Sequence, residues 1–253
     1  MKNIFIATLV LVIACGQSKP KETQQPEPKL VFDIPTSQLN ITSNFVTGKF
    51  DYTDRDDFVK VDSNFVNKTV YLHKKTYQAF KAMADSAQKD GITFTIVSGT
   101  RSFWNQKAIW ESKWEASDST TGLGKAKGIL AFSSMPMTSR HHWGTDIDLN
   151  NLNNSYFESG QGKKEYEWLK QHANEFGFYQ PYTDKSINGR TGYNEEKWHW
   201  SYLPLANRYL KYYNKHLTNK DITGFKGAEL APKIDMVKNY VNGISQKIKQ
   251  VSN

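Results

Sequence analysis

The chain is poor in cysteine, with one residue, Cys15, among 253. A disulfide framework within one chain is therefore excluded. Long hydrophobic runs are also lacking. The one strongly apolar stretch, Ile4–Ala14, is too short to span a bilayer comfortably. No internal repeat recurs along the chain, and no nucleic-acid-binding motif is found. What is abundant is aromatic residues, at 13%, enough to build a core without a covalent staple. Positive charge is in excess, with 33 Lys and Arg against 25 Asp and Glu, a formal +8. Such an excess suits nucleic acid, an anionic membrane or an anionic wall polymer. Without a nucleic-acid motif, the envelope partners are favoured.

The position of the cysteine says more than its number. Lys2 precedes the apolar run, which reads as the core of a signal peptide. The run ends Val12-Ile13-Ala14-Cys15-Gly16, which resembles a bacterial lipobox. In that motif the Cys thiol receives a diacylglycerol and becomes the new N-terminus after cleavage. A lipid together with a basic surface would give stable membrane anchoring. The expected location is the cell envelope, lipid-anchored on a periplasmic or extracytoplasmic face.

Four segments follow. Residues 1–14 read as a lipoprotein signal peptide. Residues 15–30 are polar and Pro-rich and read as a disordered tether. Residues 31–215 read as the main domain, and 216–253 as a basic helical extension. Within the domain, Tyr77, Phe80, Ala84 and Ala87 recur at helical spacing, predicting a helix over 72–91 that stops at Asp90-Gly91. Residues 92–97 alternate as a strand. A second helix is predicted over 103–114 and a loop over 117–138. The stretch 141–149 reads as a turn feeding a strand. A third helix is predicted over 163–176, and a strand over 198–202 with His199 and Ser201 on one face. A final amphipathic helix is predicted over 236–251. Helices and strands mix without β-α-β alternation, which predicts an α+β fold with a small antiparallel sheet.

Three polar segments stand out: Ser98–Ser102, Ser139–Asp148 and Glu195–His199. A catalytic zinc wants about three imidazole or carboxylate ligands and an open position. Two His and one Asp suit it. His141 and Asp148 lie seven residues apart, so on a straight strand they would face opposite ways. A bend is needed, and Gly144 supplies a place for it. Spacing alone does not separate His141 from His142, or Asp146 from Asp148. His199 is the third ligand candidate, and Glu196 three residues earlier suits a general base.

These segments resemble the D-alanyl-D-alanine carboxypeptidase and dipeptidase family of zinc peptidases, the VanY/VanX type. Ser139, His141, Gly144 and Asp148 fit its motif S-x-H-x-x-G-x-A-x-D. Glu196, Trp198 and His199 match its second motif, E-x-x-H or E-P-W-H. Ser98, Gly99, Arg101, Ser102 and Gln106 match S-G-Y-R-S-x-x-x-Q, and Trp168, Leu169, Ala173, Gly177 and Phe178 echo a fourth. The motifs run in the family's order between Leu72 and Tyr202. Asp146 departs from the usual Ala, Lys197 from Pro, Thr100 from an aromatic, Met137 from Gly and His172 from Asn.

The resemblance implies a hedgehog/DD-peptidase-like fold and a Zn²⁺ held by His141, Asp148 and His199. It implies Glu196 as the base, Arg101 as both substrate-binding and catalytic, and Gln106 and Ser139 as substrate-binding. His142 is expected not to ligate. Asp146 either orients a ligand imidazole or faces solvent. Trp104, Trp143 and Trp200 are candidates for the cleft wall or for the core. The implied activity is hydrolysis in peptidoglycan stem peptides, foremost as a D-Ala-D-Ala-type carboxypeptidase. The alternatives are an endopeptidase or a zinc-containing, non-hydrolytic cell-wall binding domain. No nucleic-acid partner is expected.

Overall fold

A computed structural model describes residues 40–251. The expected signal peptide, lipid site at Cys15 and tether, and the start of the expected main domain, lie outside the described residues. Two antiparallel sheets organise the rest. The smaller pairs β1 (Phe58–Lys60) with β2 (Tyr71–His73). The larger has four short strands in the order β3-β4-β6-β5, all antiparallel. They are β3 (Ile96–Ser98), β4 (Asp146–Leu149), β5 (Phe178–Tyr179) and β6 (His199–Tyr202).

Helices surround the sheets. After the single turn α1 (Ser43–Val46) comes α2 (Lys74–Lys89), which buries Tyr77, Phe80, Met83, Ala84 and Ala87 along one side. It begins two residues later than its periodicity predicts, because Leu72 and His73 pair with Val59 and Phe58. The imidazole of His73 then caps the helix, Nδ1 accepting from the Lys75 amide at 3.2 Å. β3 is shorter than predicted. Asn150, at the end of β4, engages Thr95 and Thr93 with its side chain and backbone in place of a continued ladder.

α3 (Phe103–Glu115) opens on a reciprocal capping box between Ser102 and Asn105. The predicted loop over 117–138 contains a helix, α4 (Gly122–Ile129), capped by Thr121. Two of its residues, Ala126 and Ile129, are buried in the core. Its glycines lower intrinsic helix propensity, and packing overrides it. α5 (Gly160–His172) continues as a 3₁₀ turn, Ala173–Phe176, which Gly177 ends in the left-handed region at φ 82°. α6 (Lys185–Asn188) is a single turn, and α7 (Leu203–His216) buries Leu205, Ala206, Tyr209 and Tyr213.

The C-terminal part is not the continuous helix predicted over 236–251. After α8 (Ala231–Ile234), that stretch forms a π-helical turn at Val237–Val241 and, separately, α9 (Gln246–Val251). Asp235 at φ 53° separates α8 from that turn. Asn239 and Asn242 then donate their side-chain amides to the Ile234 and Val237 carbonyls. Such local bonds compete with regular helix. Nor does the segment stand apart. Ile222, Phe225, Ala231, Met236, Val241, Ile244 and Ile248 share the core with Trp110, Ile147 and Tyr213.

One glycine governs how the chain enters β4. Gly144 ends the 3₁₀ turn Arg140–Trp143 at φ 68°, ψ 14°. A Cβ there would stand 2.5 Å from Phe58 Cε1 and 2.9 Å from the His73 amide nitrogen. Gly144→Ala therefore adds left-handed strain to overpacking, an expected loss of about 2–4 kcal/mol. Equilibrium urea unfolding measures it; a loss below about 1 kcal/mol would mean the turn is not constrained as described.

Candidate metal centre

The site is assembled by strand register. In the β4–β6 pair, Asp148 stands opposite His199 and Asp146 opposite Ser201. Directly paired residues project to the same face, so two carboxylates, an imidazole and a hydroxyl share one surface. The third segment arrives through the turn before Gly144. That turn carries His141 over the strand, placing its Nε2 3.3 Å from Asp148 Oδ2. The rings of His141 and His199 are 4.8 Å apart. One ligand-capable atom from each of His141, Asp148 and His199 lies within 4.8 Å of the others, and all three residues are buried.

Hydrogen bonds set which ring nitrogens face inward. His141 Nδ1 donates to the Gly99 carbonyl at 2.8 Å, which leaves Nε2 toward Asp148. His199 points Nε2 at Asp146 Oδ2, 2.9 Å away, which leaves Nδ1 3.1 Å from Asp148 Oδ1. Asp148 Oδ1 is buried and has no hydrogen-bond partner. Two inward nitrogens and an unsatisfied carboxylate oxygen form a donor set that fits a single divalent ion.

The alternatives left open by spacing separate on geometry. His142 is buried outside the cluster with both nitrogens engaged. Its Nδ1 donates to the Arg101 carbonyl at 2.8 Å and its Nε2 accepts from the Met137 amide at 3.1 Å. Burial pushes its pKa down to about 4, so the ring is neutral near pH 7. Asp146 does not face solvent. It accepts from His199, Arg140, Ser201 and Thr145. Burial opposes its charge, but Arg140 and the His199 bond outweigh burial and hold the carboxyl below its usual range.

Glu196 is buried, with Oε2 3.3 Å from His199 Nδ1. Burial raises its pKa, and the charge on Asp148 adds to the rise, against the lowering effect of His199. Burial works against charge on His199 as well. Its bond to Asp146 and the nearby carboxylates of Asp148 and Glu196 outweigh that and raise its proton affinity. Three carboxylates around one imidazole make a place that attracts positive charge.

His141, Asp148, Glu196 and His199 line an open cleft of about 820 Å³. Arg101 stands in its wall, tightly held. Its Nε and Nη2 donate to Ser98 Oγ at 3.1 and 3.0 Å, Nη1 to Gln106 Oε1 at 3.0 Å, and Nη2 also to Asp148 Oδ2 at 3.1 Å. Thr100 ties this loop to β2 by donating its hydroxyl to the Tyr71 carbonyl. Ser139 lines the cleft, 1% exposed, with a hydroxyl that has no partner.

Gln106 does not sit where a substrate-binding residue would. It is fully buried and absent from the cleft wall, its oxygen accepting from Arg101 and its nitrogen donating to the Ser134 carbonyl. It positions Arg101. The three tryptophans considered for the cleft also lie elsewhere. Trp143 and Trp200 are buried in the core and Trp104 is exposed on α3. Trp198 lines the cleft instead, beside Phe132.

Sequence reasoning passed over Arg140. It is 1% exposed, donates Nε to Asp146 Oδ2 at 2.9 Å and Nη2 to Ser201, and stacks over Trp143. The signal was available: a cation six residues from an aspartate that replaces the family's alanine needs a buried partner.

The helix-flanked antiparallel sheet with an inward His-Asp-His cluster beside a buried glutamate defines a class of metallopeptidase-like folds. A family model for VanY, D-alanyl-D-alanine carboxypeptidase, matches residues 69–205, more than half of the chain, and the protein belongs to that family. Over 139 residues the chain is 32% identical to YodJ of Bacillus subtilis (strain 168), which bears a carboxypeptidase name. That match covers 53% of this chain and 46% of YodJ, so the chain spans about half the length of this relative. It is 34% identical over 93 residues to an uncharacterized protein of Haemophilus influenzae, covering 31% of this chain and 68% of the other. Among solved structures, the LdcB LD-carboxypeptidase superposes with a TM-score of 0.50 at 21% identity, covering 80% of each chain, a likeness of fold.

The Arg140–Asp146 pair yields a stability test. Arg140→Met leaves Asp146 without its buried cation, at an expected cost of about 3–5 kcal/mol. The Arg140→Met/Asp146→Ala double variant should recover at least half of that, because no buried charge then stands alone. Denaturant midpoints of the three proteins report both numbers, and a double variant no better than the single would contradict charge compensation.

Proposed function

We propose that this protein is a zinc peptidase that removes a terminal D-Ala-type residue from peptidoglycan stem peptides. The observation that carries the reading is the convergence of His141, Asp148 and His199, with the Glu196 carboxylate against the same imidazole, on the wall of an open cleft. Family membership supports the reaction type and the substrate class. His141 through Nε2, His199 through Nδ1 and Asp148 would hold the ion. Two imidazoles and a carboxylate suit zinc. Bound zinc supplies Lewis acidity, polarising a carbonyl oxygen and easing the ionisation of water.

The remaining work falls to the chain's own side chains. Glu196 takes the proton from the attacking water and passes it to the departing amine. Arg101, immobilised by Ser98, Gln106 and Asp148, sets a fixed positive charge beside the carbonyl where negative charge develops. Asp146 orients the His199 ring so that Nδ1 points toward Asp148, where the ion would be held. The unpartnered Ser139 hydroxyl is free to bond substrate.

Glu196→Gln should retain zinc by elemental analysis while turnover of purified muropeptides falls about 10²- to 10⁴-fold. A chelator should abolish turnover and added zinc restore it. Mass spectrometry of the digest reads the loss of one alanine. Zinc retention without cleavage of any muropeptide by the parent protein would leave a binding domain instead of an enzyme.

The envelope location belongs to the same proposal, with Cys15 as the lipid-bearing residue. Cells fed a radiolabelled fatty acid should label the parent chain and not Cys15→Ser. Equal labelling of both would dispose of the anchor.

A further inference from the structure

The cleft contains a cation that the hydrolytic machinery does not use. α3 presents Asn105, Ile109 and Lys113 to the cleft, a stripe at four-residue spacing. Lys113 is the last of these. Its ammonium donates to Ser133 Oγ on the facing loop, whose neighbour Ser134 accepts from Gln106. One side of α3 is thus fastened to the 133–134 loop, and the Lys113 charge is held over the cleft.

The other charges near the centre are spoken for. Arg101 pairs with Asp148 and Arg140 with Asp146. Glu196 faces His199. No carboxylate stands within ion-pairing distance of Lys113 among the described residues. Yet Lys113 belongs to the same electrostatic neighbourhood. Partial burial and the charge of Arg101 lower its pKa, and Glu196 acts on it in the opposite sense. Lys68 also lines the cleft, from the loop that leads into β2.

A second observation points to a ligand at this end. The cleft holds a buried hydroxyl with no partner, on Ser139. An ammonium bonded to a hydroxyl but to no carboxylate, in the same cleft as an unsatisfied hydroxyl, makes a poor resting surface and a good receptor for a carboxylate.

We infer that Lys113 is a specificity-determining residue that reads the free α-carboxylate of the residue to be released, and so makes the enzyme an exopeptidase. The inference rests on the hydrolytic reading above. Chemistry favours that carboxylate over one on a substrate side chain. The released residue lies next to the scissile amide, where Glu196 delivers its proton, and its carboxylate is the one anion every carboxypeptidase substrate carries there. An endopeptidase would meet a neutral amide at the same place and would have no use for an unpaired cation.

The test compares a diacetylated Lys-D-Ala-D-Ala peptide with its C-terminal amide, using zinc-loaded protein. The parent should prefer the acid, and in Lys113→Met the acid-to-amide ratio of kcat/KM should fall about 10- to 100-fold, the worth of one charge-assisted hydrogen bond. Lys113→Arg should keep most of the preference. Lys107→Met, which removes a charge from the outer part of α3, should leave the ratio unchanged. Calorimetric binding in a Glu196→Gln background separates the two readings. Acid bound at least 10-fold more tightly than amide, with the difference lost in Lys113→Met, supports carboxylate reading even if the parent cleaves nothing. An acid-to-amide ratio equal in parent and Lys113→Met, in an enzyme that does cleave, overturns the role of Lys113 and leaves the hydrolytic reading intact. Discrimination that instead follows a side-chain carboxylate on the substrate would also overturn it.

Discussion

The pairing of β4 with β6 is the constraint on which the site depends. It sets Asp148 opposite His199 and Asp146 opposite Ser201, residues about fifty positions apart in the chain. A one-residue slip would turn those side chains to the opposite face. Burial on both faces guards against it. Ile147 and Leu149 alternate with the two aspartates into the core, and Trp200 and Tyr202 alternate with His199 and Ser201. The hydrophobic half of each strand therefore holds the polar half in register.

Two further devices complete the geometry. The left-handed Gly144 turns the 3₁₀ segment back so that His141 overhangs β4. Hydrogen bonds from outside the cluster then choose each ring's orientation. Gly99 takes one nitrogen of His141, and Asp146 takes one nitrogen of His199. Burying Asp146 is costly, and the expense is offset by Arg140, Ser201 and Thr145, all bonded to it. The result is a rigid polar layer beneath an open cleft. Preorganised groups of this kind do not have to reorganise as charge develops.

Much of this was legible in the chain. Helical spacing in Tyr77, Phe80, Ala84 and Ala87 located α2, and Gly177 marked the end of the third long helix because only a residue tolerant of positive φ suits that position. The need for a bend between His141 and Asp148 followed from strand geometry alone. Misses fell where tertiary contacts overrule local preference. α4 is rich in glycine and is held by Thr121 and by packing. The C-terminal apolar spacing promised one helix, but Asn239 and Asn242 bond their side chains to the backbone and divert it. Gln106 read as a substrate contact because its motif neighbours the cleft, and the fold turns it inward to Arg101.

The sequence by itself determined the chemistry on offer: which imidazoles and carboxylates exist, where the chain must bend, and the alternation that makes two strands amphipathic. Periodicity and residue type are local properties, and they can be read without coordinates. Only the tertiary structure placed His142 on the Arg101 carbonyl and the Met137 amide, gave Asp146 its buried cation, and left Lys113 without a carboxylate partner. Those outcomes depend on distances between segments far apart in the chain, and such distances are set by packing, which no local pattern encodes.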